Sequence, residues 1–185
     1  NNSVAFKGKP EMGTFMREWT SLYESKSGER GIFNRQAAKV KALENGRRDA
    51  DYYFGCNPCS EIILRPYQFC NLTEVVARVT DTVDTLKEKV RMATILGTFQ
   101  STLTNFKYLR KVWKDNTEEE RLLGVSLTGI LDCPVLNNTY YELGDVLEQL
   151  RHVAVETSQL VDSASGIHAR HNDYYIRTVR GDNKD

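Results

Sequence analysis

The run "LLGVSLTGI", residues 122–130, limits this chain's architecture more than any other stretch. It is short, apolar and punctuated by glycine, the signature of a buried strand or strand–turn. Long segments of helical spacing flank it. Over 82–105, Val83, Leu86, Val90, Ala93 and Leu96 follow one face, with Asp81 placed as a cap. Over 140–164, Leu143, Val146, Leu150, Val153, Thr157 and Leu160 do the same. Shorter β-branched or aromatic runs at 60–64, 72–79 and 174–179 read as strands, the first bounded by Pro58 and Pro66. Helices and short strands thus alternate, and the expected fold class is α/β.

The N-terminal part is helical in pattern. Phe15, Trp19, Leu22 and Tyr23 mark an amphipathic helix over 11–25, followed by a loop at 25–31. A second helix over 34–44 turns Ala37, Ala38, Val40 and Leu43 inward, and "ENGRRDAD" breaks it. Thr117 and Glu120 have the spacing of a capping box. There is no internal repeat and no low-complexity tract.

With 185 residues, the chain is long enough for one domain with a sizeable core. Its 25 basic and 25 acidic side chains leave no net charge, so it lacks the basic excess of a nucleic-acid binder. No run approaches the roughly 18 apolar residues of a membrane span, and no signal peptide opens the chain. Neither a nucleic-acid nor a membrane partner is expected. Cys56, Cys59 and Cys70 crowd one segment while Cys133 stands apart. That distribution reads as thiol chemistry in a reducing, cytoplasmic setting. The chain begins at Asn1 in mid-pattern, which suggests a piece of a larger protein.

The crowded segment is "FGCNPCSEIILRPYQFCNL", residues 54–72. In an extended strand, Asn57, Cys59 and Glu61 face the same way. Such a row places an amide, a thiol and a carboxylate around one small ligand. The thiol could be a nucleophile or a hydrogen-atom abstractor, the carboxylate a general base, and the amide a hydrogen-bonding anchor. Other readings stay open at this point. Cys56-x-x-Cys59 is also a redox or zinc half-site, and buried structural cysteines are common. A structural zinc site needs a second pair, and only His168 with His171 approaches that spacing. His152 falls on a long helix and reads as solvent-facing; no histidine is assigned to a metal. Cys133 reads as structural, and Tyr174 with Tyr175 as core packing.

"NPCSEI" followed by "FCNLTEVV" resembles the active-site segment of ribonucleotide reductases. "ATILGTFQSTLTNFKYLRKVW" and "EEERLLGVSLTGILD" look like the helix and strand that follow it in the adenosylcobalamin-dependent class, and "SLYESKSGERGIFNR" also agrees. The resemblance runs in order along nearly the whole chain. It implies that Cys59 carries a thiyl radical and removes the ribose 3′ hydrogen. Glu61 would take the 3′-hydroxyl proton, and Asn57 would hydrogen-bond the substrate. Cys70 would be one of two cysteines that reduce the substrate and end as a disulfide. The fold implied is part of a ten-stranded α/β barrel with Cys59 on an inner loop, and residues 1–185 would be one fragment of that domain. The cofactor implied is adenosylcobalamin. The partners implied are a ribonucleotide, a thioredoxin-like dithiol and the remainder of the reductase chain. The role would be deoxyribonucleotide synthesis for DNA replication, under allosteric control.

Some of the family's parts are not matched. The thiol partner of Cys70, the effector region, the later barrel strands, the phosphate-binding loop and the C-terminal cysteines have no counterpart in these residues. The isolated chain is therefore expected to be inactive. Cys56 stands where a small residue such as threonine is usual. Triphosphates are the expected substrates, with diphosphates second. Two rivals remain: a zinc or redox C-x-x-C interaction module, and an inactive product of a split or intein-interrupted gene.

Overall fold

The computed structural model describes residues 6, 8–27, 31–44, 48–58, 62–137, 142–165 and 174–175. Among them the centre is a parallel sheet. Strand β3 (Leu72–Val76) pairs with β4 (Leu123–Thr128), and β4 pairs with β5 (Tyr174–Tyr175), giving the order β3-β4-β5. The register sets Leu72 opposite Gly124 and Val76 opposite Thr128. Helix α3 (Val83–Ser101) crosses from β3 toward β4, and α5 (Glu142–Ser165) from β4 toward β5. The alternation expected from the sequence is thus present as α/β crossovers.

The apolar run at 122–130 forms β4, the strand between two neighbours. Leu123, Gly124 and Val125 are buried in succession, as a strand covered on both faces requires, and after half-buried Ser126 Leu127 is buried too, while Thr128 at the end is exposed. Leu86, Val90 and Ala93 of α3 and Val146, Leu150 and Ala154 of α5 close the core over it, with Cys133 fully buried beside them. Gly97 lets α3 approach β4: a Cβ there would lie 2.1 Å from Leu123 Cδ1. Between α3 and α5, Thr94 and Thr98 give their hydroxyls to the carbonyls of Val90 and Thr94, at 2.7 and 2.8 Å. Thr98 Oγ1 also lies within hydrogen-bond distance of the Ser158 hydroxyl of α5, at 3.3 Å. These small polar residues satisfy themselves within the helix and so enter the interface at little cost.

A 3₁₀ turn, Ile130–Asp132, follows β4. Gly129 precedes it at φ 72°, where a Cβ would strike Ala77 O at 2.3 Å. A second core lies toward the N-terminus, where Ala38, Ala42, Ala50 and Phe54 are buried. Helix α2 (Arg35–Glu44) supplies Ala38 and Ala42 to it, and Ile63 of β2 (Ile63–Leu64) packs against it. The remaining elements of this part are α1 (Met12–Ser25) and the short strand β1 (Gly55–Cys56).

Several sequence expectations need correction. The cap of α3 is Thr82, which exchanges hydrogen bonds with Thr85, while Asp81 serves elsewhere. Leu96 is exposed, and so is Leu160 of α5. On α2, Ala38 and Ala42 turn inward, while Ala37, Val40 and Leu43 do not. The apolar residues of α1 lie on the surface or are half-buried. Thr117 and Glu120 form no capping box. They end a helix missed in the sequence, α4 (Lys111–Glu120), in which Thr117 donates to Trp113 O at 2.7 Å. Of the expected strand at 60–64, Ile63–Leu64 form β2 and residues 60 and 61 lie outside the described residues; the one at 72–79 shortens to β3. Residues 176–179 lie outside the described residues, as do His168 and His171. His152 is exposed and lies 3.0 Å from Glu156.

Asp81 ties the end of β3 to α3. It accepts from Lys89 Nζ at 2.6 Å, from Arg78 N at 2.7 Å and from Thr85 Oγ1 at 2.9 Å. The Lys89 ammonium above all holds its carboxyl below the usual carboxylate range, and the Arg78 and Thr85 hydrogen bonds add to it. The stabilisation is present above the unfolded pKa of about 3.9 and is lost as pH falls through the lower folded value. Asp81→Asn should therefore lower the urea midpoint at neutral pH and make stability less steep in acid. An unchanged acid limb in urea titrations from pH 7 to pH 2 would contradict this.

Candidate active site

The candidate site is built on a hairpin. β1 and β2 pair antiparallel, with Cys56 opposite Ile63. Asn57 continues the ladder by one step: its N–H donates to Ile62 O at 3.3 Å, and its Oδ1 accepts from Ile62 N–H at 3.0 Å. The side chain so replaces a strand partner at the point where Pro58 supplies no donor. With Oδ1 committed, Nδ2 points outward and meets Cys70 Sγ at 3.6 Å. Asn57 is buried, whereas the Cys70 side chain is exposed. The two residues thirteen apart in sequence are thereby one unit, an amide donor beside an accessible sulfur. Cys59 and Glu61 lie outside the described residues, in the connection between Pro58 and Ile62. Cys56 sits half-buried in β1.

Cys70 reaches this place through a strained turn. Tyr67 adopts φ 63°, a left-handed conformation that costs a bulky residue of order 1–3 kcal/mol unless its surroundings impose it. Here they do. The Tyr67 ring meets Trp113 edge-on at 5.7 Å and carries the Arg110 guanidinium at 4.6 Å. Asn116 Nδ2 donates to Pro66 O at 2.9 Å, and Gln68 Oε1 accepts from Arg65 N at 2.7 Å. Phe69 then packs between Phe106 and Trp113, with centroids at 4.9 and 4.8 Å. Asn71, next along, gives Nδ2 to Gly97 O and Leu122 O, and so fastens the start of β3 to α3 and to the residue before β4.

Beneath both thiol-bearing segments lies a buried ion cluster. Glu120, at the end of α4, is fully buried. Arg48 grips it with two parallel bonds, Nε to Oε1 and Nη2 to Oε2, both 2.9 Å. Arg65 Nη2 reaches Oε1 at 3.0 Å, and Gln68 Nε2 donates to Oε2. Arg48 also donates to Ile63 O at 2.9 Å, inside the hairpin. Arg65 stacks on Tyr52 at 3.8 Å and pairs with Glu119 at 3.2 Å, an ion pair without hydrogen-bond alignment. One carboxylate thus joins the hairpin, the turn before Cys70 and α4. The sequence reading missed Arg48, Arg65, Gln68 and Glu120. The available signal was two arginines and a glutamate beside apolar strand ends, which pattern alone cannot pair.

A 136-residue stretch of the chain is 34% identical to an adenosylcobalamin-dependent ribonucleoside-triphosphate reductase of Lacticaseibacillus paracasei. The alignment takes in 71% of this chain and 17% of that protein, so the chain spans about a sixth of its relative's length. No family model matches the chain. No solved structure matches it. At the level of sequence the chain is related to a ribonucleotide reductase, an oxidoreductase.

Removing one partner of a buried ion cluster leaves the others uncompensated, which typically costs about 3–5 kcal/mol. Glu120→Gln should therefore destabilise the chain by that order in urea denaturation. It should also speed amide exchange at Asn57 and Ile62 more than in β4. Equal exchange in hairpin and β4 would show that the cluster does not hold the site.

Proposed function

We propose that this chain is a segment of the catalytic barrel of an adenosylcobalamin-dependent ribonucleotide reductase. Its substrate is a ribonucleotide, taken as the triphosphate in keeping with the relative's name. The observation that carries the reading is the Asn57 Nδ2 to Cys70 Sγ contact at 3.6 Å. It joins two of the four residues that the family pattern requires, across thirteen positions, in a chain with a reductase relative.

In this reading the thiol of Cys59 is the hydrogen-atom carrier. Thiol chemistry suits the cofactor, since a sulfur radical can take hydrogen from carbon where a thiolate cannot. Adenosylcobalamin, when bound, supplies the radical equivalent; the residues that would hold it are not assigned. The rest falls to this chain's own groups. Cys59 removes the 3′ hydrogen, and Glu61 takes the 3′-hydroxyl proton as general base. The 2′-hydroxyl takes a proton from one of the two reducing thiols and leaves as water, and Cys59 at the end returns its hydrogen atom to the 3′ carbon. Cys70 and a second thiol supply two electrons and close a disulfide, which needs their Cα atoms within about 7 Å. Asn57 positions substrate and Cys70 together. An external dithiol of the thioredoxin type restores the thiols, and the exposure of Cys70 suits that exchange.

The test is made in the full-length enzyme. Cys70→Ser should still remove the 3′ hydrogen but fail to deliver electrons. It should release free base and inactivate, with deoxynucleotide lost. Glu61→Gln should slow reduction by about 10²–10⁴-fold, the usual contribution of a general base. Normal deoxynucleotide yield over many turnovers in Cys70→Ser would overturn the assignment.

A further inference from the structure

Helix α1 is well capped yet buries nothing. The Glu11 carboxylate accepts from Gly13 N and Thr14 N, each at 2.8 Å. None of the 14 residues of the helix is buried. A helix of this length is marginal in water, and most helical stability comes from packing an apolar face. The apolar face of α1 is a narrow seam. Met12, Met16, Trp19 and Tyr23 follow one another at spacings of 4, 3 and 4 and stand 67, 47, 46 and 76% exposed. That is the a/d spacing of a two-stranded coil, and it gathers the four positions within about 60° of arc.

The flanks of the seam are simple. On one side Phe15 and Leu22 are half-buried, and the Phe15 ring stacks on Trp19 with centroids 6.3 Å apart, which steadies the indole. On the other side stand Gly13 and Thr20, both small, so a second backbone can come close. The charged residues of the helix, Arg17, Glu18 and Glu24, lie more than about 90° round from the seam. One arginine against two glutamates does not suit an anionic lipid surface, which selects for Lys and Arg on the polar face. The seam is therefore that of a helix meeting another helix.

The order of residues along it decides which helix. Two methionines come first and two aromatics follow. In a parallel pair, like would face like. In an antiparallel pair about a two-fold axis at mid-helix, Met16 faces the second copy's Trp19 and Met12 faces its Tyr23. The symmetry repeats each pairing, so every sulfur of the seam meets an aromatic ring, a favourable contact. We propose that α1 pairs antiparallel with α1 of a second copy of this chain, with Met12, Met16, Trp19 and Tyr23 buried between them. The inference rests on α1 alone and not on the roles given to the thiols.

The paired helices are about 21 Å long, so the interface is small and the association weak. Sedimentation equilibrium of the 185-residue chain should give a monomer–dimer Kd on the order of 100 µM. Met16→Glu and, separately, Met12→Glu place a charge in the seam and should each weaken pairing by about tenfold or more. Both positions are exposed in the monomer, so both variants should keep their circular dichroism. Arg17→Ala, on the far side, should leave the Kd unchanged. The register has its own readout. Met12 and Tyr23 are about 16 Å apart along one helix, so a nuclear Overhauser effect between the Met12 methyl and the Tyr23 ring arises only across an antiparallel pair. It should grow as the concentration passes the Kd. A chain still monomeric at about 1 mM would leave the seam to another partner and overturn the proposal. A dimer that both glutamate variants leave intact, one that Arg17→Ala weakens as much as they do, or one without the Met12–Tyr23 effect would overturn it too.

Discussion

Everything at the candidate site hangs on one buried carboxylate. Glu120 accepts from Arg48, Arg65 and Gln68, which stand before the hairpin, at its end and in the turn leading to Cys70. Burying such charges costs several kcal/mol per ion before their attraction returns anything. A hydrophobic cluster could hold these segments with less expense, but it would not fix direction. A planar fork on a carboxylate does, because the two parallel bonds admit one orientation. The cluster therefore sets where Asn57 and Cys70 meet, and the aromatic packing of Tyr67, Phe69 and Trp113 fills the space around that choice.

The parallel sheet serves the site from the other side. Asn71 stands between Cys70 and β3, and its amide binds the carbonyls of Gly97 and Leu122. Any shift of β3 along β4 would carry Cys70 away from Asn57. The closeness of α3 to β4 at Gly97 resists such a shift, since Leu123 packs where a larger residue would have its Cβ. Sheet and hairpin thus position one sulfur between them, although they belong to different cores.

The α/β alternation was legible because β4 lies in a mostly apolar run bounded by glycine and α3 and α5 are strongly periodic. The two segments "NPCSEI" and "FCNL" were legible as a chemical pattern, and in the fold Asn57 and Cys70 do meet. Other parts were not legible, for identifiable reasons. Helix α4 is polar along most of its length, so it has little apolar stripe to read, and its last residue was taken for a cap. Its Glu120 matters through Arg48 and Arg65, which are 72 and 55 positions away, and no local period reports such a pairing. On α2 the small alanines at 38 and 42 turn inward while Val40 and Leu43 face out, so size and hydrophobicity misled the choice of face.

The central claim is that the thiol between Asn57 and Glu61 does radical chemistry on a ribose. The most direct test is the fate of the 3′ hydrogen. In the full-length enzyme with adenosylcobalamin, substrate carrying tritium at the 3′ carbon should show a kinetic isotope effect on reduction and release a fraction of its label to water. Both should vanish in Cys59→Ser. Reduction without any 3′ isotope effect, or label release that survives Cys59→Ser, would contradict the account.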